Sequence, residues 1–398
     1  MNVTIKKHSL SGTIQAPPSK SAAHRMIIAA SRAPGESVIK NIARSDDILA
    51  TADSVGRLCA DVRLSGDSAV ITGGIKKHAP LLYANESGST LRFILPLCLD
   101  GEEHKITGAK RLFERPLTVY EDIFKRLGIY YKKTEDSFTV KGHLTSGEYE
   151  IPGGISSQFI TGLLFALPEC EGGSKIRVTG KFESRPYVNM TLRALSAFGI
   201  DIKCSENEFI IPGSMRYKKN NVTVEGDWSN AAFFKALNLF GSHVAVTGLS
   251  DDSKQGDKVC DELFERIKNG RPEISLADCP DLAPILFVAA ARCSGAEFFD
   301  TRRLKIKESD RAGAMAKELS KMGVSVKLNE NSVTVGEGLK APIEPLYSHN
   351  DHRIAMALSV ALTETGGVIT GAEAVKKSMP DFYERIIKLG AEVIFDET

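Results

Sequence analysis

The 398-residue sequence contains no two cysteines in a Cys-x-x-Cys spacing, although it has seven cysteines. They are widely scattered and odd in number, which argues against both a disulfide framework and a structural zinc site. His349 and His352 lie three residues apart, but no carboxylate or cysteine pattern accompanies them, so a metal site is not expected there. We therefore expect reduced, mostly buried thiols.

The chain also lacks long apolar segments and an excess of charge of either sign. Its longest apolar stretches, such as Leu282 to Cys293, are too short to span a bilayer, and the residues after Met1 do not form the apolar core of a signal peptide. Basic residues (51) and acidic residues (50) nearly balance, so the composition gives no reason to expect nucleic acid or an anionic membrane as a partner. We expect a soluble, cytoplasmic protein in which any basic function is local.

The length and the 42% hydrophobic content predict two domains, since one hydrophobic core rarely supports so long a chain. Self-alignment suggests a repeated module: a helix that ends at Gly, a short strand, a polar turn and a second strand. Six anchor positions start the pattern. Positions 128, 199 and 323 give clear copies, positions 60 and 270 give weaker ones, and position 390 is followed by one strand of a further copy. They predict six α+β modules, three in each domain, with a hinge near Val224 to Asp227. Chance similarity of a short pattern is the alternative.

Residues 16–25 predict an anion receptor at the start of a helix. Two prolines end extended structure, and Ser19 is placed to cap a helix whose first turn carries Lys20 and Ser21. The unpaired N–H groups of a helix N-terminus favour a phosphate or carboxylate. Ser21 and Arg25 share one helix face, so both can reach the same anion. Taken alone, the segment fits an ordinary capped surface helix equally well.

Further basic and hydroxyl side chains stand at expected helix starts or strand ends. Residues 85–92 form a Gly/Ser loop that opens an apolar helix and offers N–H groups, hydroxyls and Arg92 to an anion. Arg115 precedes a proline, where an extended backbone can project it. Ser156 and Ser157 precede an apolar helix that they can cap while binding phosphate oxygens. A capped helix end explains each of these motifs as well as a binding site does.

Two segments of the C-terminal half carry carboxylates in similar settings. Residues 307–311 are predicted to form about one helical turn, with Lys307 and Arg311 on the same face. Asp281 lies at the mouth of a strongly apolar helix, where it is either an N-cap or, if desolvated, a base. A solvated helix N-terminus is the alternative explanation of residues 307–311.

Taken together, these motifs resemble the 5-enolpyruvylshikimate-3-phosphate (EPSP) synthase family, the 3-phosphoshikimate 1-carboxyvinyltransferases. They follow the family's order over nearly the whole chain: Pro18 to Ser21, Gly88 to Arg92, Glu114 to Pro116, Ser156 to Gln158, Pro280 with Asp281, Lys307 to Arg311, Asp351 to Arg353, and Lys377 to Asp381. Each motif is weak, but eight in order with compatible spacing indicate the family.

The resemblance implies an α+β (α/β) fold of two domains, each of three βαβαββ units, in the enolpyruvyl transferase architecture (inside-out α/β barrel). One domain would be discontinuous, joining residues 1–18 to 226–398, and the other would span residues 19–225, with the active site in the cleft between them. No metal or organic cofactor is implied. The implied partners are small-molecule substrates, without nucleic acid or membrane, and the implied assembly is a monomer.

The implied reaction transfers the carboxyvinyl group of phosphoenolpyruvate to the 5-hydroxyl of shikimate 3-phosphate and releases phosphate, in the shikimate pathway of aromatic amino-acid and chorismate biosynthesis. By matching motif, shikimate 3-phosphate would be bound by Lys20, Ser21, Arg25, Ser156, Ser157, Gln158, Ser184, Tyr187, Asp281, Arg303 and Lys307. Phosphoenolpyruvate would be bound by Lys20, Gly88, Arg92, Arg115, Gln158, Arg311, Arg353 and Lys377. Asp281 would be the base and Glu308 the acid, and Lys20 would help to stabilise the departing phosphate.

Two positions depart from the family pattern. Residues 85–89 read Asn-Glu-Ser-Gly-Ser where many members have Gly-Asn-Ala-Gly-Thr, which places an acid beside the phosphoenolpyruvate pocket and leaves the response to glyphosate open. Arg303 stands where some members have an Asn that contacts shikimate 3-phosphate.

Three other functions compete with this one. The sister enolpyruvyl transferase, which acts on UDP-N-acetylglucosamine, uses a loop cysteine, and the corresponding residues 102–115 contain none. A non-catalytic phosphometabolite-binding protein would have no need of both Asp281 and Glu308. A nucleic-acid-binding module, suggested by related repeats in an RNA phosphate cyclase, conflicts with the near-zero net charge and the lack of an aromatic-rich basic stripe.

Overall fold

The computed structural model describes residues 1–77 and 79–396. The chain divides into two compact units: unit 1 contains Met1–Ser19 and the residues from Glu225 onward, and unit 2 is Lys20–Val224. Each unit has its own hydrophobic core.

The helices, in chain order, are α1 (Lys20–Arg32), α2 (Asp46–Leu58), α3 (Gly88–Ile94), α4 (Lys110–Glu114), α5 (Thr118–Leu127), α6 (Ser157–Ala166), α7 (Arg185–Ala197), α8 (Trp228–Ala236), α9 (Cys260–Lys268), α10 (Ala283–Arg292), α11 (Arg311–Lys321), α12 (His352–Thr365) and α13 (Phe382–Lys388). Short 3-10 turns connect several of them, among them Gly256–Val259, Pro280–Leu282 and Arg302–Ile306.

The strands are β1 (Asn2–Ile5), β2 (Ser11–Gln15), β3 (Gly35–Lys40), β4 (Asp61–Ser65), β5 (Ser68–Gly73), β6 (Leu81–Tyr83), β7 (Asp100–Thr107), β8 (Tyr130–Lys133), β9 (Ser137–His143), β10 (Glu148–Pro152), β11 (Ser174–Thr179), β12 (Lys203–Cys204), β13 (Glu208–Ile211), β14 (Val222–Thr223), β15 (His243–Thr247), β16 (Glu273–Ser275), β17 (Ala296–Phe299), β18 (Val326–Leu328), β19 (Ser332–Val335), β20 (Leu346–Tyr347), β21 (Gly367–Thr370) and β22 (Val393–Asp396).

Within the described residues, five four-stranded sheets share one topology, with the strand orders β14-β3-β5-β4, β6-β7-β9-β8, β10-β11-β13-β12, β16-β17-β19-β18 and β20-β21-β1-β22. In each sheet the first two strands are parallel, and two antiparallel strands complete the order. The sixth sheet is the parallel pair β15-β2. The repeated α/β module that the sequence predicted is therefore confirmed.

Four of the five predicted hairpins are present: β4 with β5, β8 with β9, β12 with β13, and β18 with β19. Three of them follow helices that end near glycines in the left-handed region, Gly128, Gly199 and Gly323, whereas α2 ends at Cys59. Gly128, for example, has a φ of 67° and donates its N–H to the carbonyls of Lys125 and Phe124, which ends α5. Helix end and hairpin are local features, which is why the sequence pattern found them.

Of the other two copies, the one at Gly270 differs from the prediction, and the one at Gly390 has the single strand that was predicted. The hairpin predicted after Gly270 is wrong, because β16 pairs in parallel with β17 and leads into α10. After Gly390, β22 pairs with β1, so the N-terminal strand takes the place of a second hairpin strand. The pairing partner of β22 lies at the opposite end of the sequence, where no local pattern could reveal it.

The helices lie inside and the sheets lie outside. Residues 283–291 of α10 and residues 352–363 of α12 are all buried, as are nine of the ten residues of α6. Strand β10 instead alternates, with Tyr149 and Ile151 buried and the intervening residues exposed, as expected of a sheet with one face in water. This is the inside-out α/β arrangement that the family resemblance implied.

This topology determines where functional residues gather. Four helices connect one strand of a parallel pair to the other: α3, α6, α10 and α12. Each begins shortly after the first strand of its pair ends. Helices α7 and α11 likewise follow the second strands, β11 and β17. The carboxyl ends of parallel strands meet at one edge of a sheet, so these helix N-termini lie at the same edge, where α/β proteins bind ligands.

All seven cysteines are free thiols, and four of them are buried: Cys59, Cys98, Cys260 and Cys279. Among the described residues, no helix combines the length and the apolar character that crossing a membrane requires.

Candidate active site

In unit 2, hydrogen bonds connect the N-terminal halves of α1, α2, α3, α6 and α7, and the polar side chains near these helix starts are here called the serine–arginine cluster. It contains the residues of this unit that the sequence singled out: Lys20, Ser21, Arg25, Gly88, Arg92, Arg115, Ser156, Ser157, Gln158, Ser184 and Tyr187. Helix N-termini carry partial positive charge, so their convergence with four basic side chains favours multiply charged anions.

Arg25 connects α1 to α7. Its Nε donates to Thr191 Oγ1 at 2.9 Å, its Nη1 to the Ser21 carbonyl at 2.6 Å and its Nη2 to the Tyr187 carbonyl at 3.0 Å. The guanidinium also lies over the Phe93 ring, 5.1 Å from its centroid. Burial lowers the pKa of Arg25 to about 10, which still leaves the side chain charged at neutral pH. The predicted helix start at Lys20 is correct, and Arg25 and Ser21 lie together.

Lys20 forms an ion pair that the sequence analysis missed. Its Nζ lies 2.7 Å from Asp47 Oδ2, and both side chains are only about a tenth exposed, at 11% and 10%. Asp47 stands in the acidic first turn of α2, next to a hydroxyl contact of 2.6 Å between Thr51 and Thr90 that joins α2 to α3. The acidic start of α2 can be seen in the sequence, but Lys20, which pairs with Asp47, is 27 residues away.

Arg92 and Gln158 join α3 to α6. Arg92 Nη1 donates to Gln158 Oε1 at 2.7 Å and Nη2 to the Pro116 carbonyl at 3.0 Å, while Gln158 Nε2 donates to Ser89 Oγ at 3.0 Å. Arg92 is 3% exposed. Its guanidinium therefore fixes the orientation of the Gln158 amide, a role that the sequence motif did not suggest.

Gly88 and Arg115 are in close contact. The loop before α3 has Ser87 as its N-cap, whose Oγ accepts from the Thr90 N–H at 3.1 Å, so the predicted Gly/Ser helix start is correct. A Cβ added at Gly88 would lie 2.5 Å from Arg115 Nη1. Arg115 has the extended backbone expected before Pro116, with φ of −69° and ψ of 145°. A side chain at position 88 would therefore displace the Arg115 guanidinium.

The serine residues occupy the starts of α6 and α7. Ser156 caps α6, with its Oγ accepting from the Gln158 N–H at 3.3 Å, and Ser157 is the buried first residue of that helix. Ser184 adopts a left-handed backbone (φ of 58°) immediately before α7. The Glu183 N–H donates to the Gly153 carbonyl at 3.2 Å, which ties the turn before α7 to the turn before α6.

Unit 1 contains a second group, here called the carboxylate–guanidinium cluster, at the starts of α8, α10, α11 and α12. Its central residue is Arg311, which is 1% exposed and pairs with three carboxylates. Its Nε lies 2.8 Å from Asp351 Oδ2, its Nη1 2.8 Å from Asp281 Oδ1 and its Nη2 2.6 Å from Glu308 Oε2. All three nitrogens of the guanidinium are thus used to hold the two proposed catalytic carboxylates and Asp351 in place.

Asp281 is contacted by three cations. Besides Arg311, its carboxylate lies 3.0 Å from Arg353 Nη2 and 3.4 Å from Lys307 Nζ. Burial alone would raise the pKa of Asp281, but Arg353, Lys307 and Arg311 outweigh it and hold the pKa well below its usual range. The side chain does not cap a helix: α10 follows a 3-10 turn that contains Asp281, so the N-cap alternative is wrong.

Lys307 lies before α11 rather than in its first turn. The helix begins at Arg311 and is capped by Asp310, whose Oδ1 accepts from the Gly313 N–H at 3.1 Å, so the predicted helical turn over residues 307–311 is wrong. Lys307 instead follows a 3-10 turn, and its own backbone is extended. Burial lowers the pKa of Lys307 to about 8, against the attraction of Asp281.

Arg353 stands in the first turn of α12, which Asp351 caps by accepting from the Arg353 N–H at 2.9 Å. Its Nη1 donates to Ser229 Oγ at 2.6 Å, a residue of α8 that the sequence analysis did not select. Lys377 Nζ donates to the Asn350 carbonyl at 2.6 Å, just before this helix. The capping motif was local and visible, whereas the contact with Ser229 joins residues 124 apart.

Arg303 lies on the 3-10 turn Arg302–Ile306, and its Nη2 donates to the Ala277 carbonyl at 2.6 Å. This contact ties the turn to the segment that leads to Asp281.

The fold and the two clusters define a class of protein: a repeated, two-unit α/β protein in which buried cations are gathered at helix N-termini, an arrangement suited to small, multiply charged anions. The sequence profile of the EPSP synthase (3-phosphoshikimate 1-carboxyvinyltransferase) family matches residues 5–386. The chain belongs to this family.

Individual relatives agree. A 3-phosphoshikimate 1-carboxyvinyltransferase from Clostridium kluyveri is 40% identical, and one from Clostridium perfringens is 39% identical, each over 98% of both chains. The structure of the EPSP synthase from Acinetobacter baumannii superposes with a TM-score of 0.79 and 25% identity, covering 99% of this chain and 100% of that one. The enolpyruvyl transferase NikO from Streptomyces tendae shares the fold, with a TM-score of 0.77 and 14% identity over 99% of this chain and 98% of that one.

Proposed function

We propose that this protein transfers the carboxyvinyl group of phosphoenolpyruvate to the 5-hydroxyl of shikimate 3-phosphate, giving 5-enolpyruvylshikimate 3-phosphate and phosphate. The observation that carries the proposal is the carboxylate–guanidinium cluster, in which Asp281 and Glu308 are held by one buried arginine in a member of the EPSP synthase family. Such a cluster offers an acid–base pair together with cations for anionic substrates.

Shikimate 3-phosphate is assigned mainly to the serine–arginine cluster. Ser156, Ser157 and Ser184 stand at the starts of α6 and α7, where hydroxyl and backbone N–H groups can both donate to phosphate oxygens. Arg25 is the proposed partner of the carboxylate, with Ser21 and Tyr187 beside it. From unit 1, Asp281, Arg303 and Lys307 would also contact this substrate.

Phosphoenolpyruvate is assigned to cations of both clusters. In unit 2 these are Lys20, Arg92 and Arg115, together with the Gln158 amide, which accepts from Arg92, and Gly88, which lies against Arg115. In unit 1 they are Arg311, Arg353 and Lys377. The two substrates together carry two phosphates and two carboxylates. We therefore propose that both clusters contribute cations to the binding of this one pair of substrates.

The chemistry needs a proton delivered to the methylene carbon of the enol and another removed from the attacking hydroxyl. Glu308 is the proposed acid and Asp281 the proposed base. Its three cations keep Asp281 in the ionised form that a base requires, and because they lower its pKa they also make it a weak base. Lys20, held in position by Asp47, would stabilise the charge on the departing phosphate.

Several further properties are proposed on the family relationship. The reaction would need no metal or organic cofactor, and the protein would act as a monomer in the cytoplasm, within the shikimate pathway. Its partners would be the two substrates, with no nucleic acid and no membrane.

The test measures phosphate release by the purified protein with phosphoenolpyruvate and shikimate 3-phosphate, in parallel with UDP-N-acetylglucosamine as the acceptor. We expect release that depends on shikimate 3-phosphate and is lost in Glu308→Gln, with Glu265→Gln on the exposed face of α9 as the matched control. Release only with the sugar nucleotide would assign the protein to the sister activity. No release with either acceptor would indicate a binding protein.

A further inference from the structure

A buried chain of polar side chains leads away from Arg353 into the interior of unit 1. Arg353 Nη1 donates to Ser229 Oγ at 2.6 Å, and the Ser229 side chain is in turn hydrogen-bonded to Asp257. All three residues are buried. Asp257 thus lies behind the cluster and is linked to Arg353 by the Ser229 hydroxyl.

The donors and acceptors in this chain have fixed directions. A guanidinium can only donate, so Ser229 Oγ must accept from Arg353, and its one hydroxyl proton is left for the Asp257 carboxylate. In its ionised form, Asp257 selects the hydroxyl orientation in which a lone pair faces Arg353. Ser229 then holds Nη1 while Nη2 lies 3.0 Å from Asp281 Oδ2, which fixes the plane of the guanidinium.

The side chain of Gln255 holds together the two elements that carry Ser229 and Asp257. Gln255 Oε1 accepts from the Trp228 N–H at 3.0 Å, and its Nε2 donates to the Gly226 carbonyl at 2.8 Å. The 3-10 turn Gly256–Val259, which carries Asp257, is thereby attached to the start of α8, which carries Ser229. A shift of either element would be resisted by both hydrogen bonds of Gln255.

Asp257 is not needed as the N-cap of α8. That helix already has an N-cap, since Asp227 Oδ1 accepts from the Asn230 N–H at 2.8 Å. A buried carboxyl is costly, and the charges around this one compete: burial, Asp281 and Asp227 raise its pKa while Arg353 lowers it, with a net value of about 7. The cysteines Cys260 and Cys279 also lie within electrostatic range of it.

We infer that Ser229 and Asp257 are positioning residues for phosphoenolpyruvate binding: together they hold the Arg353 guanidinium in the plane in which it faces both Asp281 and the substrate. The inference rests on the proposed function, which assigns Arg353 to phosphoenolpyruvate. Neither residue touches the substrate, and their effect is transmitted entirely through Arg353.

The experiment compares steady-state kinetics of Ser229→Ala, Asp257→Asn and the double variant with the unmodified protein, varying each substrate separately. Ser229→Ala should raise the KM for phosphoenolpyruvate about tenfold, the loss expected for one hydrogen bond to a charged group, while the KM for shikimate 3-phosphate changes less than about twofold. The double variant should behave like Ser229→Ala alone, because the chain is already broken at Ser229. The matched control is Ser359→Ala, which removes a buried hydroxyl from α12 that contacts Tyr383 and not the cluster.

Each outcome has a separate meaning. If the unmodified protein releases no phosphate in response to shikimate 3-phosphate, the proposed function itself fails. If it is active and Ser229→Ala leaves the KM for phosphoenolpyruvate unchanged, or raises both KM values equally, only the positioning role is refuted. Additive effects of the two substitutions would also refute it. Should Ser229→Ala not fold, Asp257→Asn alone must raise the phosphoenolpyruvate KM selectively for the inference to hold.

Discussion

Replacing Arg311 by methionine should destabilise unit 1 strongly and in a pH-dependent way. The side chain is 1% exposed and lies 2.6 to 2.8 Å from the carboxylates of Asp281, Glu308 and Asp351. Methionine fills a similar volume but leaves three carboxylates facing one another without their shared cation. Removing one partner of a buried ion pair costs about 3–5 kcal/mol, and Arg311 serves three partners, so we expect a loss in the upper part of this range.

The sign of the pH dependence follows from the same contacts. Without Arg311, repulsion and burial would raise the pKa of at least one of the three carboxyls above its unfolded value. Such a group disfavours the folded state when ionised, so the stability deficit of the variant should shrink as the pH falls toward about 5 and the group takes up a proton. In the unmodified protein the opposite holds for Asp281, whose pKa is held well below its usual range.

Urea unfolding followed by tryptophan fluorescence measures this directly, because the chain has one tryptophan, Trp228, and it is buried in unit 1. With a urea slope of about 2 kcal/mol per molar, a loss of about 4 kcal/mol moves the midpoint by about 2 M. The control is Arg57→Met, which removes an exposed pair with Asp53 on α2 and should cost less than about 1 kcal/mol. A loss for Arg311→Met below about 1 kcal/mol, or one independent of pH, would refute the electrostatic account of the cluster.

Three further predictions concern turnover and substrate affinity. Glu308→Gln and Asp281→Asn should each reduce phosphate release far more than they reduce shikimate 3-phosphate binding in calorimetry; a comparable loss of both would contradict the acid and base roles. Affinity for the anionic substrates should fall as the pH rises through about 8, where Lys307 loses its charge, and Lys307→Met should flatten that profile. Asp47→Asn should lower kcat about tenfold by releasing Lys20, whereas Asp53→Asn, on the exposed face of α2, should not; equal effects would rule out a specific role for the ion pair.

Helix starts and hairpins were predictable from the sequence because their determinants are local. Ser87, Ser156 and Asp351 each cap the helix that follows within two or three residues, and the capping signal is contained in that span. The same is true of Gly128, whose left-handed conformation ends α5 before a hairpin. Binding motifs placed at such starts can therefore be located from the amino-acid sequence alone.

The partners of these side chains were not predictable, because they come from distant parts of the chain. Spacing of four residues placed Lys307 and Arg311 on one helix face, yet Lys307 precedes the helix, because the capping of α11 by Asp310 sets the start of the helix at Arg311. Arg92 was predicted to bind an anion, and its hydrogen bond to Gln158, 66 residues away, could not be seen from the sequence. A basic residue at a helix start has the same sequence signature whether it faces a substrate or a protein acceptor.

The pairing of β1 with β22 has a consequence for how the protein is made. Asn2 lies opposite Asp396 and Ile5 opposite Val393, so the β20-β21-β1-β22 sheet joins residues nearly 400 positions apart. Unit 2, in contrast, is one continuous segment of chain. On the ribosome, unit 2 has all of its sequence available while unit 1 still awaits its last strand, and β1 must remain without a sheet until β21 and β22 emerge. Contacts of such long sequence separation form slowly, so closing this sheet is expected to be the late step that completes the fold.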